Sequence, residues 1–228
     1  MVKVKICGIT NLEDALAALK SGCDAVGFVF YRKSPRYISP KKAQNIISHL
    51  PGGILKVGVF VNAKEADIKR IAKLCKLSML QFHGDETPEF CARFNKYKLI
   101  KAFRIRDKID LKNLLTYKAQ AFLFDAFVYS KFGGTGKKFN WNLLEIARGI
   151  KRPIFLSGGL NSGNVKKAMR QVHPAWVDVS SGVEIRPGKK DIKKLREFIK
   201  AAKQGRFSKQ SRSVPLKGTL LLQLENRP

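Results

Sequence analysis

Short apolar runs alternate with segments of helical periodicity along most of the chain. The first run, residues 2–9, precedes a segment that places Leu12, Leu16 and Leu19 on one helical face. Apolar runs of this length, bounded by glycine, proline or polar residues, predict buried strands. Strands are predicted at residues 2–9, 25–30, 55–61, 79–83, 99–103, 121–125, 153–156 and 176–179. Helices are predicted after them at residues 10–22, 40–49, 63–74, 88–94, 109–117, 141–148, 162–171 and 189–204.

The strict alternation of strands and helices predicts the fold class. Consecutive strand–helix units form a parallel sheet with right-handed crossovers, and eight units close into a (β/α)8 TIM barrel. The alternative is an open, doubly wound sheet. That fold usually carries a glycine fingerprint after its first strand, where this chain has only Gly8. We therefore expect a single barrel domain over residues 1–204.

Capping signals predict where two of the helices begin. Thr10 followed by Glu13 fits a capping box for the first helix. Ser39 and Pro40 fit an N-cap and a first helical residue. The last helix is predicted to begin at Lys189.

Residues 205–228 do not continue the strand–helix pattern. They are polar and basic around Lys209 and are interrupted by Pro215. A short apolar run at residues 216–224 has no evident partner. We expect this C-terminal tail to be disordered or loosely docked.

The composition is that of an ordinary globular protein, with 44% hydrophobic and 27% charged residues. No apolar run approaches the roughly 20 residues that cross a membrane. The N-terminus enters a strand at once and lacks a signal-peptide core, which predicts a cytoplasmic location. The four cysteines form no CxxC pair, so we expect reduced thiols, no disulfide framework and no metal site.

A formal net charge of +28 is the most unusual bulk property. Such a charge favours anionic partners and raises the possibility of nucleic-acid binding. The lysines are spread over most predicted helices and are not gathered in one block. We therefore interpret the charge as a lysine-rich surface and expect no nucleic-acid or membrane partner.

In a TIM barrel, reactive groups lie at the C-terminal strand ends and in the loops after them. Two neighbouring ends, Ser157-Gly158-Gly159 and Ser180-Ser181-Gly182, follow the predicted strands seven and eight. Glycine allows close backbone approach to a ligand, and clustered N–H groups bind anions. The common phosphate site of this fold has the same position. The other candidates at strand ends and in the following loops are Cys7, Arg36, Gln81, His83, Arg104 and Asp125.

Cys7 and Asp125 are the strongest candidates for acid–base chemistry. A lone cysteine more often serves packing, but at the barrel mouth beside a basic loop its pKa could fall and make it a base. Asp125 ends an apolar strand, so its carboxylate faces the mouth or pairs with a lysine or arginine. We favour a general acid at this position.

Three further residues are candidates for substrate contact. Arg36 offers a planar fork that suits a carboxylate, although a solvated basic loop is the alternative. Gln81 and His83 share one face of strand four, either the barrel interior or the helix side. A lone histidine is more often a hydrogen-bonded structural group, and substrate contact is the minority interpretation for His83. The glycine-rich residues 133–136 are a weak phosphate signal, and we predict a mobile loop over the mouth.

Collinear motifs over about residues 2–204 resemble one known family. They are KICGIT (5–10), DAVGFVF (24–30), SPRYIS (34–39), VGVFV (57–61), QFHG (81–84), GGTGK (133–137), LSGGL (156–160) and DVSSGVE (178–184). Together they resemble the phosphoribosylanthranilate isomerases of tryptophan biosynthesis. The strand-four motif of the family reads QLHG, and Phe82 replaces its leucine here.

The resemblance implies an isomerase that needs no cofactor or metal. Its reaction is the Amadori rearrangement of N-(5-phosphoribosyl)anthranilate to 1-(o-carboxyphenylamino)-1-deoxyribulose 5-phosphate. By motif, Cys7 is the general base, Asp125 the general acid and Arg36 the contact for the anthranilate carboxylate. The implied phosphate contacts are Gly158, Gly159, Ser180, Ser181 and Gly182. The expected partner is a phosphorylated small molecule, and the expected assembly is a monomer or homodimer.

Two other functions remain open from the residues alone. An indole-glycerol-phosphate synthase is another phosphate-binding barrel, but it would need lysine and glutamate pairs inside the barrel. A protein that binds RNA or membrane surfaces would use the positive charge and would show a steep salt dependence.

Overall fold

A computed structural model describes residues 1–105, 110–125 and 150–204. Eight parallel strands form a closed barrel in sequence order, and the last pairs with the first. The strands are β1 (Lys3–Cys7), β2 (Ala25–Val29), β3 (Leu55–Phe60), β4 (Met79–Phe82), β5 (Lys98–Arg104), β6 (Ala121–Asp125), β7 (Ile154–Ser157) and β8 (Trp176–Val179). The predicted TIM barrel is therefore confirmed.

Helices follow the strands and cover the outside of the barrel. They are α1 (Leu12–Lys20), α2 (Pro40–Ser48), α3 (Glu65–Leu74), α4 (Pro88–Ala92), α5 (Leu111–Thr116), α6 (Val165–Val172) and α7 (Ile192–Gln204). The predicted helix at residues 141–148, the glycine-rich residues 133–136 and the tail at 205–228 lie outside the described residues.

Strand alternation divides the core into two apolar layers, one on each face of the sheet. Outward side chains such as Ile6, Phe28 and Phe60 pack under the helices in the larger cluster. Inward side chains fill the N-terminal half of the barrel, where the rings of Phe155 and Trp176 stack 4.7 Å apart. This apolar floor leaves the C-terminal half of the interior for polar groups.

Two of the predicted helix starts are wrong, and the third is confirmed. The cap of α1 is Asn11, whose side chain accepts from the Asp14 N–H at 2.8 Å. Thr10 is turned away, and its hydroxyl donates to the Gly188 carbonyl. Ser39 caps α2 as predicted.

The last helix begins at Ile192 and not at Lys189, because a hairpin intervenes. Strand β9 (Glu184–Arg186) pairs antiparallel with β10 (Lys189–Lys190) outside the barrel. The backbone N–H of Lys190 is held by Asp14 on α1 at 2.7 Å. This contact between distant parts of the chain fixes the hairpin, so the local helical pattern could not reveal it.

Among the described residues, no helix is both long and apolar enough to cross a membrane.

Candidate active site

The register of the barrel brings several predicted residues to one end of its interior. Parallel neighbours in register share a face of the sheet. Cys7 lies opposite Gly27, Gln81 opposite Val59, and Asp125 opposite Ser157. Cys7 and Asp125 both close their strands and face inward above the apolar floor. On one side of the barrel, only β7 and β8 separate their strands.

Cys7 lies in a tight, mostly apolar setting. Its side chain packs with Val29, Val59 and Tyr31, and the residue is only 8% exposed. Gly27 provides the space, because a Cβ at that position would lie 2.8 Å from the sulfur. A larger residue on β2 would therefore push the thiol out of place.

The electrostatics of Cys7 differ from our expectation. Burial raises the pKa of the thiol, and the nearby Lys5 ammonium opposes this effect without overcoming it. The prediction that the basic loop lowers the pKa is therefore wrong in direction. The physical reason is that the loop's Arg36 is itself neutralised by a carboxylate, while the thiol is shielded from water.

Gln81, His83 and Asp125 form a hydrogen-bonded chain inside the barrel. The Gln81 amide nitrogen lies 2.9 Å from Nδ1 of His83, and Nε2 lies 3.2 Å from Asp125 Oδ2. Because the amide nitrogen can only donate, Nδ1 accepts, and Nε2 carries the hydrogen that faces the carboxylate. The interior position is therefore the correct one of the two faces considered for Gln81 and His83.

Asp125 makes a different contact from the salt bridge to a lysine or arginine that the sequence left open as the alternative to catalysis. Its described contact is the imidazole of His83 and not a lysine or arginine, and both side chains are 20% exposed. Arg104 lies beside Asp125 in the register, but its side chain is exposed. Asp125 is thus oriented by a neighbour and remains open to the mouth.

A buried ion pair behind His83 was not found from the sequence. Lys101 Nζ lies 2.9 Å from Glu86 and 2.7 Å from the Gly84 carbonyl. Glu86 also accepts from the N–H groups of Gly84 and Asn62. The pair therefore fixes the turn that follows β4 and, with it, the position of His83. A lysine inside an apolar strand was the available signal.

Arg36 is held by the buried carboxylate of Glu184, which lies 148 positions further along the chain. Its Nε and Nη2 atoms lie 2.7–3.1 Å from the two oxygens of Glu184. Among the described residues, no acceptor contacts Nη1. Burial would raise the pKa of Glu184, but hydrogen bonds from Arg36 and Lys190 hold it below its usual value. Glu184 thus fixes the guanidinium and leaves one edge of it available.

Lys190 joins the ends of β1 and β8. Its fully buried ammonium donates to the Cys7 carbonyl at 2.6 Å, the Ser180 carbonyl at 3.3 Å and Glu184 at 2.8 Å. These three acceptors use all three of its N–H groups. The loop that carries Arg36, the end of β1 and the end of β8 are therefore locked together.

The two glycine-bearing ends lie side by side, because β7 and β8 are paired. Gly158 and Gly159 have φ values of 94° and 62°, which turn their peptide groups away from the strand direction. Gly182 lies in a short 3-10 turn, where a Cβ would fall 1.9 Å from the Leu160 carbonyl oxygen. Only glycine fits at that contact. The site therefore has an irregular backbone of the kind that presents N–H groups to an anion.

One hydroxyl in this region is buried without a hydrogen bond among the described residues. It is Ser180 Oγ, which lies 2.9 Å from the point where a Cβ on Gly8 would stand. Gly8 has a φ of 76° and also borders Arg36. The ends of β1 and β8 and the loop after β2 thus converge on one pocket wall. Among the described residues, no group of three His, Cys, Asp or Glu side chains could hold a metal ion.

Comparison with known proteins identifies the family. The model of the N-(5'-phosphoribosyl)anthranilate (PRA) isomerase family matches residues 4–201. A PRA isomerase from Pelobacter propionicus is 52% identical over 206 residues, which span 90% of this chain and 98% of that protein.

Solved structures agree with the family match. The phosphoribosylanthranilate isomerase of Thermotoga maritima is 48% identical and superposes with a TM-score of 0.83, over 89% of this chain and 99% of that one. A second structure, 46% identical with a TM-score of 0.81 and the same coverage, is an isomerase in complex with reduced 1-(o-carboxyphenylamino)-1-deoxyribulose 5-phosphate. The chain belongs to the PRA isomerase family.

Proposed function

We propose that the chain catalyses the Amadori rearrangement of N-(5-phosphoribosyl)anthranilate to 1-(o-carboxyphenylamino)-1-deoxyribulose 5-phosphate, a step of tryptophan biosynthesis. The main observation in support of this proposal is that Cys7 and Asp125 face the same barrel interior, beside two glycine-bearing strand ends. The relative that binds the reduced product supports the same class of ligand. Cytoplasmic location and a monomer or homodimer remain our predictions.

Asp125 is the general acid of the first step. Its protonated carboxyl gives a proton to the furanose ring oxygen, and the bond from that oxygen to C1′ breaks. The nitrogen lone pair forms the C1′=N bond of a Schiff base. The N–H of His83 then stabilises the carboxylate that remains.

Cys7 is the general base of the second step. The thiolate removes the proton from C2′, and the electrons form the C1′=C2′ bond of an enolamine while nitrogen takes back its pair. Tautomerisation to the ketone completes the reaction. Because only the thiolate can accept this proton, the rate with free enzyme should increase as pH rises through the pKa of Cys7.

The two charged ends of the substrate fit the two ends of the pocket. The free edge of the Arg36 guanidinium suits the anthranilate carboxylate. The phosphate fits the backbone of Gly158, Gly159, Ser180, Ser181 and Gly182. Gln81 and His83 line the interior of the barrel below this mouth. The amide oxygen of Gln81 has no hydrogen bond among the described residues.

Turnover can be measured by the fluorescence change as phosphoribosylanthranilate is consumed. We expect activity in the full chain and, within about twofold, in a chain that ends at Gln204, because the helix α7 completes the barrel. Absence of turnover in both chains would reject the proposed function. Activity in the full chain alone would reject the prediction that residues 1–204 are the complete catalytic domain.

Substitution of Arg36 by lysine tests the carboxylate contact. A lysine keeps the charge but loses both the bidentate bond to Glu184 and the planar edge for substrate. We expect KM to rise about tenfold or more, with a smaller change in kcat, since a charged hydrogen bond contributes about 1.5–3 kcal/mol. The control is Arg32→Lys on the exposed part of the same loop. Equal effects in both variants would show that Arg36 makes no specific contact.

A further inference from the structure

A fully buried ion pair lies next to Cys7 and has no part in the mechanism described so far. Lys5 and Asp178 are in register on β1 and β8, and Lys5 Nζ lies 2.8 Å from Asp178 Oδ1. Their side chains are 0% and 5% exposed. A buried ion pair is seldom a large source of stability, because desolvation offsets the attraction between the charges. Its position therefore suggests a role in the chemistry.

The geometry places the ammonium group under the thiol. Lys5 and Cys7 are two residues apart on β1 and point to the same face of the sheet. Both border the space left by Gly27, since a Cβ there would lie 2.8 Å from Cys7 Sγ and 3.2 Å from Lys5 Cε. No other side chain of β2 separates the two groups. The absent side chain of Gly27 thus keeps the lysine and the cysteine in contact range.

The hydrogen-bond count leaves the ammonium group available to a second acceptor. It carries three N–H groups. Asp178 accepts from one of them, and a hydrogen bond with the Cys7 side chain also favours the charged lysine. By contrast, the three acceptors of Lys190 use all of its N–H groups. A buried ammonium group needs further acceptors, and a thiolate at Cys7 would be one.

The charges around Cys7 also favour a contact between the Lys5 ammonium and an ionised Cys7 thiol. Its charged neighbours are Lys5 on the same strand, Asp178 on β8 and Lys190 on β10, and the last is bound to Glu184. Burial would lower the pKa of Lys5, but Asp178 and Cys7 outweigh it, so Lys5 stays protonated. Lys5 is also the largest of the influences that favour the ionised thiol.

We propose that Lys5, held by Asp178, is a positioning residue that stabilises the thiolate of Cys7 from inside the barrel. The inference rests on the proposed function, in which Cys7 removes the proton from C2′. Lys5 touches no reacting atom of the substrate and acts only through the sulfur. Asp178 keeps the lysine in place and, as an anion, partly opposes its effect on the thiol.

The test measures the titration of Cys7 in the free protein, without substrate. The rate of alkylation by iodoacetamide is followed against pH, and peptide mass spectrometry separates Cys7 from Cys23, Cys75 and Cys91. We expect the midpoint to rise by about one pH unit or more in Lys5→Met, where the cation is lost. In Asp178→Asn the anion is gone and the Cys7 thiolate becomes the counter-ion of the buried Lys5 ammonium, so we expect the midpoint to fall.

Opposite shifts distinguish an electrostatic role from a structural one. A role in packing alone would move both midpoints in the same direction or leave both unchanged, and either result would overturn the inference. If Lys5→Met does not fold, the double variant with Asp178→Asn decides, because it removes both buried charges together. Its midpoint should then lie above that of Asp178→Asn alone.

A second buried lysine gives the matched control. Lys101→Met breaks an equally buried pair with Glu86, on the outer face of β5, and should leave the Cys7 midpoint unchanged. Turnover is measured separately in the unmodified protein. Shifts in the expected directions without any turnover would reject only the proposed function. Turnover with unshifted midpoints would reject only the role of Lys5.

Discussion

Cys7→Ser should lower kcat by about 10²–10⁴-fold, the range that a positioned general base contributes. The serine hydroxyl is a much weaker acid than the thiol, so its ionised form is almost absent at neutral pH. Its similar size preserves the packing against Val29 and Val59. Affinity for the reduced product, measured by fluorescence titration, should stay within a few-fold of the unmodified protein.

The control is another buried thiol that lies outside the proposed site. Cys91 lies on α4, is 2% exposed and is far along the chain from the proposed base. We expect Cys91→Ser to keep the kcat of the unmodified protein. If Cys7→Ser instead lost affinity while bound substrate still turned over, Cys7 would be a binding residue and not the base.

The barrel could be predicted because its signals are local. Each strand is a short apolar run, each helix has its own periodicity, and alternation of the two leaves few topologies. The ends of the parallel strands then indicate where the reactive groups lie. Cys7, His83 and Asp125 were candidates for this reason, and the closed barrel brings their strands to one mouth.

The interactions that set the chemistry are long-range, and the sequence does not reveal them. Lys5 pairs with a residue 173 positions away, and Arg36 with one 148 positions away. The sequence did not indicate that Lys5 and Asp178 form an ion pair inside the barrel. In the sequence, Lys5 is recognisable only as a charged residue inside a predicted strand.

The expected effect of the basic loop on Cys7 was wrong for the same reason. The sequence displays the positive charges of Arg32, Lys33 and Arg36 together, but it does not show which carboxylate neutralises them. Glu184 binds Arg36 after the chain has passed almost once around the barrel. The dominant influence on the thiol is then its own burial, which depends on how β2 and β3 pack beside it.

Asp125→Asn should lower kcat by about 10²–10⁴-fold, because the amide has no acidic proton to give the ring oxygen. The substitution keeps the size of the side chain. It also keeps an oxygen that can accept from His83 Nε2, so the chain from Gln81 can persist. Binding of the reduced product should therefore survive while ring opening is lost.

A matched variant separates the acid from its neighbour. His83→Gln removes the imidazole, whose N–H stabilises the Asp125 carboxylate in the proposed mechanism, but it leaves the acid in place. We expect a loss smaller than that of Asp125→Asn, because the contact changes the energy of the carboxylate without removing the proton donor. The double variant should be no slower than Asp125→Asn alone, since His83 acts through the missing acid. Additive losses would instead show that His83 works independently, and His83 would then belong with the substrate contacts.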